Sequence, residues 1–167
     1  VTPLTIHLLK KTDGSGVLRC TRADGSETWQ RQERHAAFFG RHDLTHYAVE
    51  TILGIDDAFF GLVARGWELG DFAPPWPRGA LPPRALFVEV VVGFLDVERT
   101  ANVRESAHDC NEAVTLYTQA HPVDTTGWFR LTDAQLDRIR ARRAVLFERW
   151  FDVRPGDALT LPFPAAP

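Results

Sequence analysis

LTIHLLKKTDGSGVLRCTRADGSETWQR, residues 4–31, decides the fold class. Its first segment alternates, with Leu4, Ile6 and Leu8 on one side of an extended chain. Asp13-Gly14 and Asp24-Gly25 then supply two Asp-Gly steps, the strongest short hairpin signal. Three antiparallel strands are expected near 4–11, 16–22 and 27–31. So small a meander is marginal alone, and one face must pack on something else.

Beyond Arg41 the period becomes helical. The pattern predicts helices over 42–53 and 57–69 that fold back antiparallel, with Gly54 as a C-cap and Asp56 or Asp57 as an N-cap. Residues 73–83, APPWPRGALPP, are too rich in proline for a helix or a central strand and read as a stiff loop. In RALFVEVVVGFLDVE (84–98) the valines favour a strand but the length favours a helix, and helix is the reading taken. Two more helices are expected at 105–120 and 132–151, the latter opening on a Thr132–Gln135 capping box. DALTLPFP (157–164) returns as a strand beside the meander. The whole reads as one α+β domain of four to five helices packed with a small antiparallel sheet.

A chain of 167 residues is long enough to bury a core, and 44% hydrophobic with 25% charged residues is ordinary for a soluble protein. A net charge of −3 argues against nucleic acid or an anionic membrane as partner. No apolar run approaches the roughly 18 residues of a membrane span, and no signal peptide is visible at the start. Cys20 and Cys110 form no CxxC and are expected to be reduced, in a cytoplasmic protein. The five tryptophans read as core anchors, except Trp76 between prolines, which is placed over a pocket. RIRARRAVLFER (138–149) looks basic, but Asp133, Asp137, Glu148 and Asp152 dilute it into a solvated helix face. GxGxxG, P-loop and GxSxG patterns are missing, which disfavours nucleotide and serine-hydrolase chemistry.

The chemistry concentrates in RHDLTHYAVE, residues 41–50. At about 100° per residue, His42, His46 and Glu50 follow one another along the edge of the apolar arc formed by Leu44, Ala48, Val49, Ile52 and Leu53. Imidazoles at i and i+4 are neighbours and can share a metal ion. A third ligand must come from Glu50, from Glu68 or from Glu89. Glu89 stands alone in LFVEVVVGFL, where a carboxylate needs a partner or a metal, and Gly93 and Asp96 continue its stripe. Arg41 or Arg84 is the alternative partner for Glu89. Asp43 either activates a metal-bound water or sits at the helix start and favours its dipole. Glu105-x-x-His108 has the spacing of di-iron bundles, but it occurs once where such a site needs two.

The string HDLTH resembles the HExxH motif of zincin metalloproteases, with Asp43 in place of the glutamate that acts there as general base. It also resembles the HDxxH motif of a ubiquinone-biosynthesis protein. That pattern continues to a Glu near position 58, where this chain has Ala58 with Asp57 beside it. These resemblances cover the five residues only. Together with the residues they imply a divalent metal, zinc before iron, in a hydrolase acting on a small molecule. The rivals are a non-haem iron oxidoreductase and a non-catalytic binding or interaction protein with structural histidines.

Overall fold

In the computed structural model, residues 3–32 and 36–164 are described. The N-terminal meander forms β1 (Leu4–Lys10), β2 (Gly16–Arg22) and β3 (Glu27–Gln32). The C-terminal strand β4 (Ala158–Phe163) pairs with β1, and the antiparallel order is β3-β2-β1-β4. Each Asp-Gly step forms a turn closed by one longer bond. Gly25 N–H donates to Arg22 C=O, Arg22 N–H donates to Ser26 C=O, and Gly25 has φ +83°. Asp24 and Asp13 fix these turns by accepting from the backbone N–H and hydroxyl of Ser26 and Ser15.

Among the described residues five helices complete the fold: α1 (Ala36–Leu53), α2 (Phe59–Ala64), α3 (Pro83–Ala101), α4 (Ala107–Ala120) and α5 (Asp133–Asp152). α1 is central, packing on α3, α5 and β2. Tyr47 of α1 donates its hydroxyl to Pro162 C=O at 2.8 Å and so ties the helix to β4. The inward residues Leu4, Ile6, Leu8, Leu18, Cys20, Leu159, Leu161 and Phe163 join Leu44, Phe60, Phe87, Val91 and Leu146 in one buried cluster. The strand positions, α3, α4, α5 and its Thr132–Gln135 capping box follow the sequence pattern closely. Cys20 and Cys110 are free and buried. Among the described residues no helix is long and apolar enough to cross a membrane.

Two helix expectations need correction. α1 begins at Ala36, so Asp43 lies inside the helix rather than at its start. The predicted helix 57–69 shrinks to α2, followed by a 3₁₀ turn at Leu69–Phe72. Gly66 leaves the helical path with φ +98°, and Arg22 of β2 binds one carbonyl in the last turn of α2 and one just beyond it. Its Nε donates to Val63 C=O at 2.8 Å and its Nη2 to Trp67 C=O at 2.6 Å. Gly54 does close α1, at φ +65°, but the N-cap of α2 is Ala58, not Asp56 or Asp57. The tryptophans are not uniformly core: Trp29 is 65% exposed, and Trp76 is 44% exposed and absent from the lining of the cleft described next.

Candidate metal centre

α1 presents His42 and His46 on successive turns, and α3 faces them with Glu89 and Asp96. The two Nε2 atoms are 3.2 Å apart, and Glu89 Oε2 is 3.5 Å from His46 Nε2. One ligand atom from each of the three residues lies within 4.8 Å of the others. Tetrahedral N and O ligands about 2.0–2.1 Å from a zinc ion stand about 3.3 Å from one another. The cluster therefore already has roughly the spacing of three ligands around one ion.

The hydrogen bonds behind the imidazoles orient them toward that point. His42 Nδ1 lies 2.7 Å from Asp96 Oδ2. Burial pushes the Asp96 carboxyl up, but the hydrogen bond and charge of His42 together with Arg99 outweigh it and hold the group below its ordinary range. An ionised carboxylate only accepts, so His42 Nδ1 donates to it, which in a neutral imidazole leaves the lone pair on Nε2. His46 Nδ1 is buried without a hydrogen-bond partner, and Glu50 Oε1 sits 3.9 Å away. Two imidazole nitrogens and a carboxylate oxygen thus converge on one small space. That space needs a donor between the acceptors, either a hydrogen on His46 Nε2 or a bound cation. Burial pushes His46 down, but the carboxylates of Glu89, Asp43 and Asp96 outweigh it and raise its pKa. Burial also pushes Glu89 up, and the neighbouring His46 reverses the sign and lowers it.

The structure places the other sequence candidates differently. Glu50 does not join the cluster. It lies fully buried behind His46 and accepts the backbone N–H groups of Phe60 and Gly61 at 3.1 to 3.3 Å. Burial pushes its pKa well above the usual carboxylate range despite those bonds. Glu68 is not one of the three clustered residues. With α2 ended at Ala64 it precedes the 3₁₀ turn and pairs with Arg22 at 3.0 Å. Glu89 is not fully enclosed, because solvent reaches 33% of its side chain. It does not use Arg84, which pairs with Asp57 at 3.3 Å. Asp43 is buried beside the cluster and accepts from Gln32 Nε2 at 2.6 Å. Burial pushes its carboxyl up to about 6, against the pull of Gln32 and the two histidines.

A cleft of about 280 Å³ opens onto the cluster. His42, Asp43, His46 and Glu89 line it together with Gln30, Gln32, Phe39, Phe59, Phe72 and other residues. Sequence reasoning missed the contact of Asp96 with His42, although the Glu89–Asp96 stripe placed both acids on one helix face. It also missed Gln32, for which the sequence carries no signal. No protein family, curated protein or solved structure matches the chain.

Proposed function

We propose that the protein is a metal-dependent hydrolase of a small molecule, with one divalent ion held by His42, His46 and Glu89. The observation that carries this reading is the convergence of three acceptor atoms, at 3.2 and 3.5 Å, on a point beside an open cleft. Three protein ligands with a free position are the pattern of catalytic rather than structural zinc. The metal would supply Lewis acidity and a bound water acidified toward neutrality. Asp96 would hold His42 in the ligating tautomer, and Glu50 would back His46 from the opposite side. Asp43, oriented by Gln32 and lining the same cleft, would take the proton from the attacking water. Two histidines and one carboxylate also suit non-haem iron, which gives an oxidoreductase reading at the same residues.

Untagged protein is stripped with chelator and titrated with Zn²⁺ and, without oxygen, with Fe²⁺. One ion per chain in the wild type, lost in His46→Ala, is expected. A tenfold or greater preference for Fe²⁺ would favour the oxidoreductase reading over the hydrolase. Failure of either ion to bind would leave the histidines as structural groups sharing a proton.

A further inference from the structure

The inward face of the sheet changes character at one edge. Leu4, Ile6 and Leu8 of β1, Leu18 and Cys20 of β2, and Leu159, Leu161 and Phe163 of β4 are buried and apolar. On β3 the same face carries Thr28, Gln30 and Gln32, because these residues are directly opposite Cys20, Leu18 and Gly16 in the register. Thr28 accepts from Leu69 N–H, and Gln32 holds Asp43. Gln30 is exposed on the wall of the His42 cleft, with an amide that both donates and accepts. The core gives way here to a recess whose wall is polar.

Other walls of the recess are aromatic. The Phe59 ring lies 5.1 Å from the His46 imidazole and 4.7 Å from the Phe72 ring, and Phe39 is 40% exposed at the same cleft. Leu18, Leu69 and Ala73 complete the apolar lining. A volume near 280 Å³ falls at the low end of small-molecule sites, which favours a ligand built on one ring. Aromatic rings pair with flat ligands edge to face or offset, and the metal ligands stand in the same lining.

We propose that the cleft takes a single-ring aromatic molecule with an oxygen-donor head, the ring lodged among Phe39, Phe59 and Phe72 and the head directed at the His42–His46–Glu89 cluster. This inference rests on the metal reading and names the ligand class of that site. The head replaces water on the ion, and the ring exchanges water for the phenylalanine walls.

Zinc-loaded protein is titrated calorimetrically with acetohydroxamate and benzohydroxamate, which chelate zinc through the same two oxygens and differ in the ring. Affinities are referenced to those for zinc in solution. Benzohydroxamate is expected to bind tenfold or more tightly than acetohydroxamate. Phe39→Ala, accepted only with a native-like circular-dichroism melt, is expected to cut that ratio to threefold or less with acetohydroxamate affinity unchanged. Phe72→Ala, accepted only with a native-like circular-dichroism melt, should act in the same direction. A ratio near one in the wild type, or a ratio untouched by Phe39→Ala, overturns the ring site while acetohydroxamate binding leaves the metal reading intact. Failure to take up both zinc and iron overturns both.

Discussion

His42 of α1 and Asp96 of α3 are joined by a 2.7 Å hydrogen bond that fixes which imidazole nitrogen faces the cleft. Asp96 is itself held by Arg99 at 3.4 Å, and Arg99 lies over the Phe38 ring, which stacks on His42. The imidazole is thus clamped at its edge and on one face. Such outer partners raise the basicity of a ligating histidine and hold its orientation before a metal arrives.

Replacing Asp96 tests the clamp. Asp96→Ala frees His42 to adopt the other tautomer and removes a charge from the site. Zinc affinity is expected to fall by about 10–100-fold. Competition with a chromophoric chelator reads the change. An affinity within twofold of the wild type would show that Asp96 only joins two helices.

Glu89→Gln separates the ligand role from a structural one. The amide keeps the shape and loses the charge that faces His46 at 3.5 Å. Metal affinity should drop tenfold or more, about 1.4 kcal/mol. Because solvent already reaches a third of the side chain, urea stability without metal should change little. The reverse pattern, intact affinity with lost stability, would remove Glu89 from the metal shell.

Local rules account for the parts of the fold that were legible. Period-2 alternation and Asp-Gly turns place β1 to β3, and the Thr132 capping box places α5. The i, i+4 spacing brings His42 and His46 together, and the isolated charge of Glu89 marks its side of α3. The illegible parts depend on chain partners distant in sequence. α2 stops at Ala64, where Arg22, some forty residues earlier, binds its end and also pairs with Glu68. Glu50 lies on the expected edge of α1, but its carboxylate is taken by the N–H groups of Phe60 and Gly61. No helical-wheel reasoning supplies those partners.

Gly61 explains a close approach that a larger residue cannot make. A Cβ there would lie 2.0 Å from the Asp56 carbonyl oxygen, which is backbone and cannot rotate away. Gly61→Ala must push the 54–58 loop from α2 and loosen the N–H groups that hold Glu50. A loss of about 1–3 kcal/mol or more is expected from such overpacking. Urea denaturation measures it, and a variant as stable as the wild type would show that the loop yields freely.

The remaining prediction concerns acid. Glu98 of α3 is buried and receives Arg140 and Arg143 of α5, while its Oε2 also accepts Glu105 N–H. Burial raises its pKa, but the bonds from Arg140 and Glu105 outweigh burial and hold it below the ordinary 4.5. A carboxyl whose folded pKa is depressed binds its proton more readily in the unfolded chain. The stability it contributes is therefore complete above the unfolded value and is lost as pH falls through the folded value. Urea unfolding from pH 7 to 3 should show stability falling below about pH 4.5. In Glu98→Gln that acid-dependent loss should be smaller, while stability at pH 7 should drop by about 3–5 kcal/mol because Arg140 and Arg143 are left without their buried anion. Parallel pH profiles for the two proteins would show that other carboxylates govern the acid limb.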